Sequence, residues 1–330
     1  MSLVSSILAN FLTFIMAIVL TITPYEGVEE PIINNAKENC KLTVELISDV
    51  HIEKLSLSRK AYLTKGLENL QSAEVDIDAV VIAGDLTNYA DEESLSEYYN
   101  IVKTYSPAPV ISAPGNHDIG HAGDKGVTDI TRKQARDNFI KYNNEYMGKN
   151  NKNVYYTTKV GGYKFIVLSD EVVNGGHWDN ISMSKKQLDF LDKELASAKG
   201  KPVFVCCHWE IEGRNGQEIT YPDSYIDLKE YNIKKIMEKY KNVFYISGHM
   251  HAGIKSRAVE EKYGLATVEK VKGVTYVAVP SYGLYNAFGY PLSATGIQME
   301  VYSDQVIFRP RDFISNFWFT NSVYTVKLAK

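Results

Sequence analysis

The chain has 330 residues, 45% hydrophobic and 23% charged, a balance typical of a protein with a packed globular core. Its net charge of -4 and its isoelectric point near 6.0 argue against a surface that binds duplex nucleic acid, which would normally be basic. Three cysteines, Cys40, Cys206 and Cys207, are too few for a disulfide framework, and the last two are predicted to be small buried side chains.

The first two dozen residues differ in composition from the rest. The run from Ile7 to Ile22 is apolar and uncharged, and it approaches the roughly twenty residues that span a bilayer. No Lys or Arg precedes Lys37, and no small-residue cleavage site follows the run. We predict a signal anchor or export segment over residues 1–24, with a buried helix of the soluble domain as the alternative. The protein would then be extracytoplasmic, membrane-anchored or secreted, and would contact the membrane through this segment.

After a polar stretch at 25–40, which we interpret as a linker, short apolar strands alternate with helices. The strands are predicted at 41–48, 78–84, 108–114, 154–160, 163–169, 202–207 and 242–247. The helices are predicted at 58–73, 92–105, 131–146, 184–198 and 227–241. Further strands follow at 254–260, 266–271, 273–279, 297–302, 305–309 and 322–328. This alternation predicts a layered α/β fold.

Short polar clusters follow five of the predicted strands, and they contain five of the seven histidines. In chain order the polar residues are Asp49, His51, Asp85, Asn116, His117, Asp118, His208, His249 and His251. In open α/β sheets, ligands gather beyond the carboxyl ends of the strands. We therefore expect these separated pieces to converge on one rim of the fold.

The residue types in these clusters predict a metal centre. Carboxylate oxygen, amide oxygen and imidazole nitrogen together suit borderline divalent ions such as Mn, Fe, Co, Ni or Zn. Seven side chains are candidate ligands, too many for one tetrahedral site: Asp49, His51, Asp85, Asn116, His208, His249 and His251. Two divalent ions that share a carboxylate accommodate them, as in two-metal hydrolases.

The ordered set D-x-H, G-D, G-N-H-D, H and G-H-x-H over residues 41–283 resembles the calcineurin-like metallophosphoesterase superfamily. This resemblance implies a four-layer α/β/β/α sandwich at 41–284, and we expect a small C-terminal β extension at 285–330 packed on the catalytic domain. It further implies that one ion is held by three side chains: Asp49, His51 and His251. A second ion would be held by three others: Asn116, His208 and His249. Asp85 would bridge the two ions, which are predicted to be Mn, Fe or Zn.

The resemblance also implies catalytic roles for two residues that would not bind metal. His117 would face the phosphate and protonate the leaving oxygen or stabilise developing charge, while Asp118 would hold the His117 ring. A metal-bridging hydroxide would be the nucleophile, because two cations neutralise the phosphate and lower the pKa of water. The predicted activity is hydrolysis of phosphomonoester or phosphodiester bonds in a small phosphorylated substrate, with no nucleic acid expected. The alternatives are a pyrophosphatase acting on nucleotide or lipid diphosphates and a non-catalytic metal-binding scaffold.

Several departures from relatives narrow the substrate. Leu86 follows Asp85, so the phosphate-gripping arginine of protein Ser/Thr phosphatases is absent, and Asn88 stands where purple acid phosphatases have an iron-binding tyrosine. His208 is followed by Trp209, whereas class III cyclic-nucleotide phosphodiesterases usually have His-Pro there. The remaining candidates stay open between lining the cleft and ordinary packing: His121, His177, Trp178, Tyr282, Tyr285, Phe288 and Tyr290.

Overall fold

The structure is a computed structural model that describes residues 26–29, 39–71, 76–171, 181, 183–220, 226, 233–255, 260 and 265–330. The predicted export segment at 1–24 lies outside the described residues, as do His177 and Trp178. Among the residues described, none of the helices has the length and apolar character needed to cross a membrane.

The described residues form strands and helices in alternation over the first two thirds of the chain and mostly strands thereafter. The strands are β1 Gly27–Glu29, β2 Leu42–Ile47, β3 Ala79–Ala83, β4 Val110–Ala113, β5 Tyr156–Val160, β6 Tyr163–Val167, β7 Val203–Cys206, β8 Val243–Ser247, β9 Val268–Val271, β10 Val274–Ala278, β11 Thr295–Val301, β12 Gln305–Asp312, β13 Phe317–Phe319 and β14 Tyr324–Lys327. The helices are α1 Leu57–Gln71, α2 Glu92–Tyr105, α3 His121–Asp124, α4 Arg132–Met147, α5 Lys185–Ala196, α6 Gln217–Thr220 and α7 Ile233–Met237, with 3₁₀ turns at His117–Ile119 and Thr320–Ser322.

These strands make two sheets. The first has the order β1-β13-β12-β11-β2-β3-β4, with β14 paired to β12, and the second has the order β5-β6-β7-β8-β10-β9. Strands β2, β3 and β4 are parallel to one another, and so are β6, β7, β8 and β10. Each parallel set is buried because side chains on both of its faces are covered, which explains why its strands are nearly continuous apolar runs.

The two sheets pack face to face, and helices cover their outer faces. Phe244 of β8 contacts Phe308 of β12, with ring centroids 6.0 Å apart, so the aromatic layer between the sheets joins them. Helix α2 contacts both α1 and α4, and the three helices share the core of the first sheet, whereas α5 and α7 pack together against the second. The predicted sandwich of two sheets flanked by helices is confirmed.

The strands after residue 284 occupy an internal position in the first sheet. β11 is hydrogen-bonded directly to β2, with Ile297 opposite Leu46 and Met299 opposite Val44. Residues 295–327 therefore extend the first sheet from β2 outward instead of forming a separate layer. Three described residues of the predicted linker, Gly27–Glu29, also belong to this sheet, because β1 pairs with β13.

Two local predictions are wrong, and one short strand was not predicted. The strand expected at 254–260 is absent at its described residues: Ile254 and Lys255 have no regular structure, and Glu260 is helical. The helix expected to run to residue 241 ends at Met237 and is followed by a turn. The short strand β13 was not predicted, because three residues carry too little periodicity to distinguish a strand from a turn.

Glu45 places a carboxyl group at the centre of β2, where it is fully buried. Neither of its oxygens accepts a hydrogen bond from a described residue, and Arg311 Nη1 lies 3.9 Å from Oε1. Burial raises the pKa of Glu45 to about 7, although Arg311 opposes the shift. The folded protein therefore keeps a proton on Glu45 that the unfolded chain loses above its ordinary pKa of 4.5.

We expect Glu45→Gln to stabilise the protein more at pH 8 than at pH 5. Stability that depends on the Glu45 proton is lost as the pH rises from 4.5 to about 7, and glutamine has no proton to lose. Each kcal/mol of unfolding free energy shifts Tm by about 2 °C in a chain of this size. The difference in Tm between variant and parent should therefore be a few °C larger at pH 8 than at pH 5 when thermal unfolding is measured at both.

Glu300→Gln is the matched control, since Glu300 is equally buried on the neighbouring strand. Its carboxylate accepts hydrogen bonds from Gln298, Tyr302 and Arg309, so the substitution should lower Tm at both pH values. A Glu45→Gln variant whose change in Tm is the same at pH 5 and pH 8 would contradict the assignment.

Candidate metal centre

The predicted ligands lie on loops at the carboxyl ends of five parallel strands. Asp49 and His51 follow β2, Asp85 follows β3, and Asn116 follows β4 in the first sheet. His208 follows β7, and His249 and His251 follow β8 in the second sheet. The facing edges of the two sheets thus bring all seven side chains into one group.

One half of this group contains Asp49, His51 and His251. His251 Nε2 lies 3.0 Å from Asp49 Oδ1 and 3.3 Å from His51 Nε2. With Asp85 these residues present ligand atoms that all lie within 4.8 Å of one another. Asp49, His51 and Asp85 are buried, whereas the His251 side chain is 30% exposed, so one side of this group is open to solvent.

The other half contains Asn116, His208 and His249. His208 Nε2 lies 3.1 Å from Asn116 Oδ1 and 3.1 Å from His249 Nδ1. Asp85 Oδ2 lies between the two halves, 3.3 Å from His208 Nε2 and 3.6 Å from His51 Nε2. The seven candidate side chains therefore lie in the two groups expected from the sequence, and both groups approach the Asp85 carboxylate.

The ring of His208 is oriented by a backbone carbonyl. Its Nδ1 lies 2.8 Å from the carbonyl oxygen of Ala83, at the end of β3. A carbonyl oxygen accepts only, so Nδ1 carries the proton and donates it. Nε2 is then the ring nitrogen that faces Asp85 and Asn116, and it is the atom that a metal ion bound among these side chains would meet.

The backbone at the site adopts an unusual conformation. Five of the seven candidate ligands have left-handed φ values, between 45° and 69°: Asp49, His51, Asp85, His249 and His251. Residues with side chains seldom adopt this conformation, and it costs free energy that the surrounding structure must offset. Such conformations cluster at functional sites, and five of the twelve described non-glycine residues with left-handed φ values are candidate ligands.

Three glycines allow the ligands to approach the backbone closely. A Cβ atom added at Gly84 would collide with the His208 ring, and one at Gly115 would collide with the Asp85 carboxylate. A Cβ at Gly248 would collide with Ser48 and with the Asp49 carboxylate. Each cluster therefore needs glycine beside it, because the partner ligand occupies the space of the missing side chain.

The electrostatics of the site favour a bound cation. Burial alone would raise the pKa of Asp85, but His208 and His117 hold it well below its ordinary value. Burial lowers the pKa of His51 to about 3, while at His208 the charges of Asp85 and Asp49 outweigh burial and raise the pKa to about 10. Buried carboxylates that stay ionised require positive charge nearby; the protonated His208 ring supplies it here, and a bound metal ion would supply it in place of that proton.

His117 lies against this group without adding to either ligand set. Its ring meets the His51 ring edge-on, with centroids 4.8 Å apart, and its backbone N–H donates to Asp85 Oδ1 over 3.0 Å. Its Nδ1 lies 2.9 Å from the carbonyl oxygen of Asn88. Because a carbonyl only accepts, Nδ1 donates here and Nε2 is the ring nitrogen left to act on a substrate.

The prediction that Asp118 holds the His117 ring is wrong. Asp118 is fully buried and accepts hydrogen bonds from the backbone N–H groups of Leu86, Thr87 and Gly115, each over 2.9 Å. It ties the loop after β3 to the loop after β4, and the Asn88 carbonyl orients the ring in its place. Leu86, Thr87 and Gly115 lie in the loops after β3 and β4, where their N–H groups have no partner on a neighbouring strand. The Asp118 carboxylate accepts hydrogen bonds from these N–H groups instead.

His121, which the sequence left open, lines the site. It is 9% exposed, and its ring is tilted over His117 with centroids 4.4 Å apart. Three of the four aromatic residues after β10 pack in the interior: Tyr282 is buried, its OH donates to the Tyr62 carbonyl, and Phe288 and Tyr290 are also largely covered. Tyr285 is the exception at 75% exposed.

A hydrogen-bonded set of three residues, Arg59, Glu53 and Asn88, supports His117 and was not predicted. Arg59 Nη1 donates to the His51 carbonyl over 3.0 Å and to Glu53 Oε1 over 3.1 Å. Asn88 Nδ2 donates to the other oxygen of Glu53 over 2.8 Å. Glu53 thereby fixes Asn88, whose carbonyl holds the His117 ring. A backbone carbonyl leaves no mark in a sequence, so this contact could be found only in three dimensions.

We expect Glu53→Gln to lower kcat about tenfold without loss of bound metal, in the range of outer-shell substitutions. The substitution weakens the charge-assisted contact to Arg59 and so loosens Asn88 and the His117 ring, but it leaves every ligand in place. Lys54→Ala is the control on the same loop, because its ion pair with Glu93 is exposed. Equal activity of the two variants would show that Glu53 does not position His117.

The chain was compared with known families and structures. A family model described as calcineurin-like phosphoesterase matches residues 42–253, which is more than half of the 330 residues. The chain belongs to the calcineurin-like phosphoesterase family. The predicted family and the predicted enzyme class, a phosphoric ester hydrolase, are confirmed by this match.

One solved structure shares this fold over most of the chain. A purple acid phosphatase from yellow lupin seeds is 15% identical, with a TM-score of 0.55 over 87% of this chain and 53% of that one. The phosphoesterase thus spans about half the length of that protein. An uncharacterized predicted phosphoesterase from Streptococcus pneumoniae is 10% identical, with a TM-score of 0.38 over 87% of this chain and 97% of that one. Vacuolar protein sorting 29 from Cryptosporidium parvum is 13% identical, with a TM-score of 0.38 over 88% of this chain and 98% of that one. No curated protein sequence matches the chain.

The side chains of this phosphoesterase fit divalent metal ions as cofactors. Asp49, His51, Asp85 and His251 form a compact mixed set of oxygen and nitrogen donors, the combination that borderline divalent ions prefer. The glycines that make room for Asp49, Asp85 and His208 show that the backbone is shaped around these donors. The predicted metal dependence is therefore supported by both the family and the donor geometry.

Proposed function

We propose that this phosphoesterase hydrolyses phosphomonoester or phosphodiester bonds with two divalent ions held on either side of Asp85. The observation that carries this proposal is the position of Asp85 Oδ2, 3.6 Å from His51 Nε2 and 3.3 Å from His208 Nε2. A carboxylate that binds two ions at once must lie close to the histidines that hold each of them, as Asp85 does here. Asp49, His51 and His251 would hold one ion, and Asn116, His208 and His249 the other.

The proposed metals are Mn, Fe or Zn, because four of the seven proposed ligands are imidazoles and the other three are carboxylate or amide oxygens. When bound, such ions neutralise the phosphate oxygens and lower the pKa of the attacking water. The chain's own contribution is orientation: the Ala83 carbonyl fixes His208, and the His249 N–H donates to Asp49 Oδ2 over 3.1 Å.

His117 is proposed to assist the leaving group. Its Nδ1–H is engaged by the Asn88 carbonyl, so Nε2 is the atom that would give a proton to the departing oxygen. A positioned histidine is the commonest general acid, and the ring is held from behind so that it does not rotate away. His121, tilted over the ring, restricts access of water from that side.

The substrate is proposed to be small and phosphorylated, and the protein to act outside the cytoplasm, held at the membrane by residues 1–24 or released after export. This localisation rests on the apolar run from Ile7 to Ile22 in the sequence. Fractionation of cells that express the full chain tests it: the proposal expects the protein in the membrane or outside the cell, and recovery in the soluble cytosol overturns it.

The activity is tested by reconstituting the full chain separately with Mn, Fe and Zn. The substrates are p-nitrophenyl phosphate, bis-p-nitrophenyl phosphate, cyclic nucleotides and a nucleoside-diphosphate sugar. We expect turnover of at least one of the first two, removed by chelation and restored by metal. Turnover of the diphosphate sugar alone would establish the pyrophosphatase alternative instead, and failure on every substrate by metal-loaded protein would favour the scaffold.

A further inference from the structure

The edge of the fold opposite the metal ligands holds a depression of about 510 Å³, a volume that accommodates a small molecule. It opens between the two sheets, at the amino ends of the parallel strands β2, β6, β7 and β8. The residues that line it are 41, 161–163, 199–202, 242, 302–303 and 328–329. The five residues of β8 alone span about 16 Å, so a small ligand in the depression does not reach the histidines that follow β8.

The charged side chains that line the depression are all cationic among the described residues: Lys41, Lys199 and Lys201. All three are exposed, and none forms an ion pair with a described carboxylate. Nearby acidic groups already have partners, because Asp304 pairs with Lys327 at 3.4 Å and an oxygen of the last residue, Lys330, accepts from Lys241 Nζ over 2.6 Å. The chain as a whole has a net charge of -4, so this depression attracts anions against the overall charge.

Two tight turns at the depression supply backbone donors. Gly161 and Gly162 have left-handed φ values of 56° and 81°, and Lys199 and Gly200 have left-handed values of 52° and 78°. The N–H groups of the three glycines donate to no described residue. A Cβ atom added at Gly162 or Gly200 would meet nothing within 4 Å, so both turns border open space. Unbonded N–H groups in successive turn residues form concavities that bind anions.

A buried asparagine fixes the shape of the depression. Asn242 is 7% exposed, and its Nδ2 donates to the Gly200 carbonyl over 2.8 Å and to the Ala329 carbonyl over 3.0 Å. Its Oδ1 accepts from the Ala329 N–H over 2.7 Å. One side chain at the start of β8 thus holds both the turn before β7 and the chain that follows β14 in the other sheet. The depression is therefore preformed, and binding a ligand does not require these segments to become ordered.

We propose that this depression, which we call the lysine depression, is a second anion site that binds a small soluble molecule with two or more phosphate groups. Three ammonium groups and the donors of two turns match an anion with several charged oxygens, which a pair of phosphate groups provides in a small volume. None of the described lining residues is an arginine, whose planar fork suits carboxylates, whereas lysine binds phosphate as a point charge from any direction. This inference goes beyond the proposed function and does not depend on it.

The site is tested by acetylating the lysines of the full metal-loaded chain at pH 8, with and without methylenediphosphonate, an analogue of pyrophosphate that is not hydrolysed. Peptide mass spectrometry measures the rate at each lysine. We expect the ligand to slow acetylation severalfold at Lys41, Lys199 and Lys201, because an ammonium group beside an anion stays protonated. Lys103 and Lys149 are the controls, since they border a neighbouring depression at the same edge that no glycine lines. No protection, or equal protection of both sets, would overturn the proposal.

The contribution of the lysines and the ligand class are tested by the concentration of methylenediphosphonate that protects Lys41 by half. Lys199→Ser with Lys201→Ser should raise it about tenfold or more, because two unit charges leave the site. Lys103→Ser with Lys149→Ser removes the same charge from the same edge and should leave it nearly unchanged. Citrate has nearly the same charge at pH 8 and should protect only at much higher concentration. Equal potency of citrate, or equal effects of the two double variants, would overturn the proposal.

Discussion

Asp85→Ala is expected to lose bound metal and nearly all activity. Asp85 is the carboxylate that both halves of the metal centre approach, so its removal takes a ligand from each ion at once. Because metal ions supply several kcal/mol of transition-state stabilisation, we expect turnover to fall by at least about 10³-fold. Elemental analysis of the purified variant, together with its rate on p-nitrophenyl phosphate, measures both effects.

The control for this variant is Asp137→Asn, which removes a carboxylate from an exposed ion pair with Lys133. It should keep its metal and its rate, since exposed pairs of this kind contribute little. Far-ultraviolet circular dichroism checks that Asp85→Ala remains folded. A folded Asp85→Ala protein with a full complement of metal would refute the shared-ligand assignment.

His117→Asn is expected to keep its metal and to lose about 10²–10⁴-fold in kcat, the usual contribution of a general acid or base. His117 belongs to neither ligand set, and the Asn88 carbonyl holds its ring with Nε2 left for the substrate. The loss should be smaller for p-nitrophenyl phosphate than for an alkyl phosphate. Nitrophenolate leaves readily without a proton, whereas an alkoxide does not.

His121→Asn provides the matched comparison, because this ring is tilted over His117 at 4.4 Å and has the same chemistry. We expect it to lose much less activity and to show no dependence on the leaving group. If His117→Asn loses the same factor on both phosphates, the residue stabilises charge and does not donate a proton. If His117→Asn is fully active, it has no role in turnover.

Much of the fold was predictable from local pattern. Helix α2 was expected at 92–105 and is found at Glu92–Tyr105, because its N-terminus is signalled by Asp91, whose side chain accepts from the Ser94 N–H over 2.7 Å. Helix α4 begins with a capping box between Thr131 and Gln134, again a local signal. Where the pattern is short, as in β13, or where the partner strand is distant in the chain, local periodicity was insufficient.

The position of a strand within a sheet is the clearest example of a feature that depends on a partner distant in the chain. The strands after residue 284 were predicted as strands, yet nothing local indicates that β11 pairs with β2, some 250 residues earlier in the chain. Register depends on which apolar faces meet across the two layers, and that is decided by packing. The domain boundary expected at 284 stays a prediction, although the sheet continues across it.

What the sequence determined by itself was the set of candidate ligands. Seven oxygen and nitrogen donors each follow an apolar strand, and parallel pairing brings the carboxyl ends of the strands to one edge within each sheet. Packing of the two sheets then places these two edges side by side. Only the tertiary structure decided how these donors are held. Asp49 and His251 have left-handed backbone conformations. The His208 and His117 rings donate to the backbone carbonyls of Ala83 and Asn88, and Asp118 accepts from backbone N–H groups. All of these features belong to the backbone. Every residue has those groups, so no pattern of side chains could have revealed which ones are used.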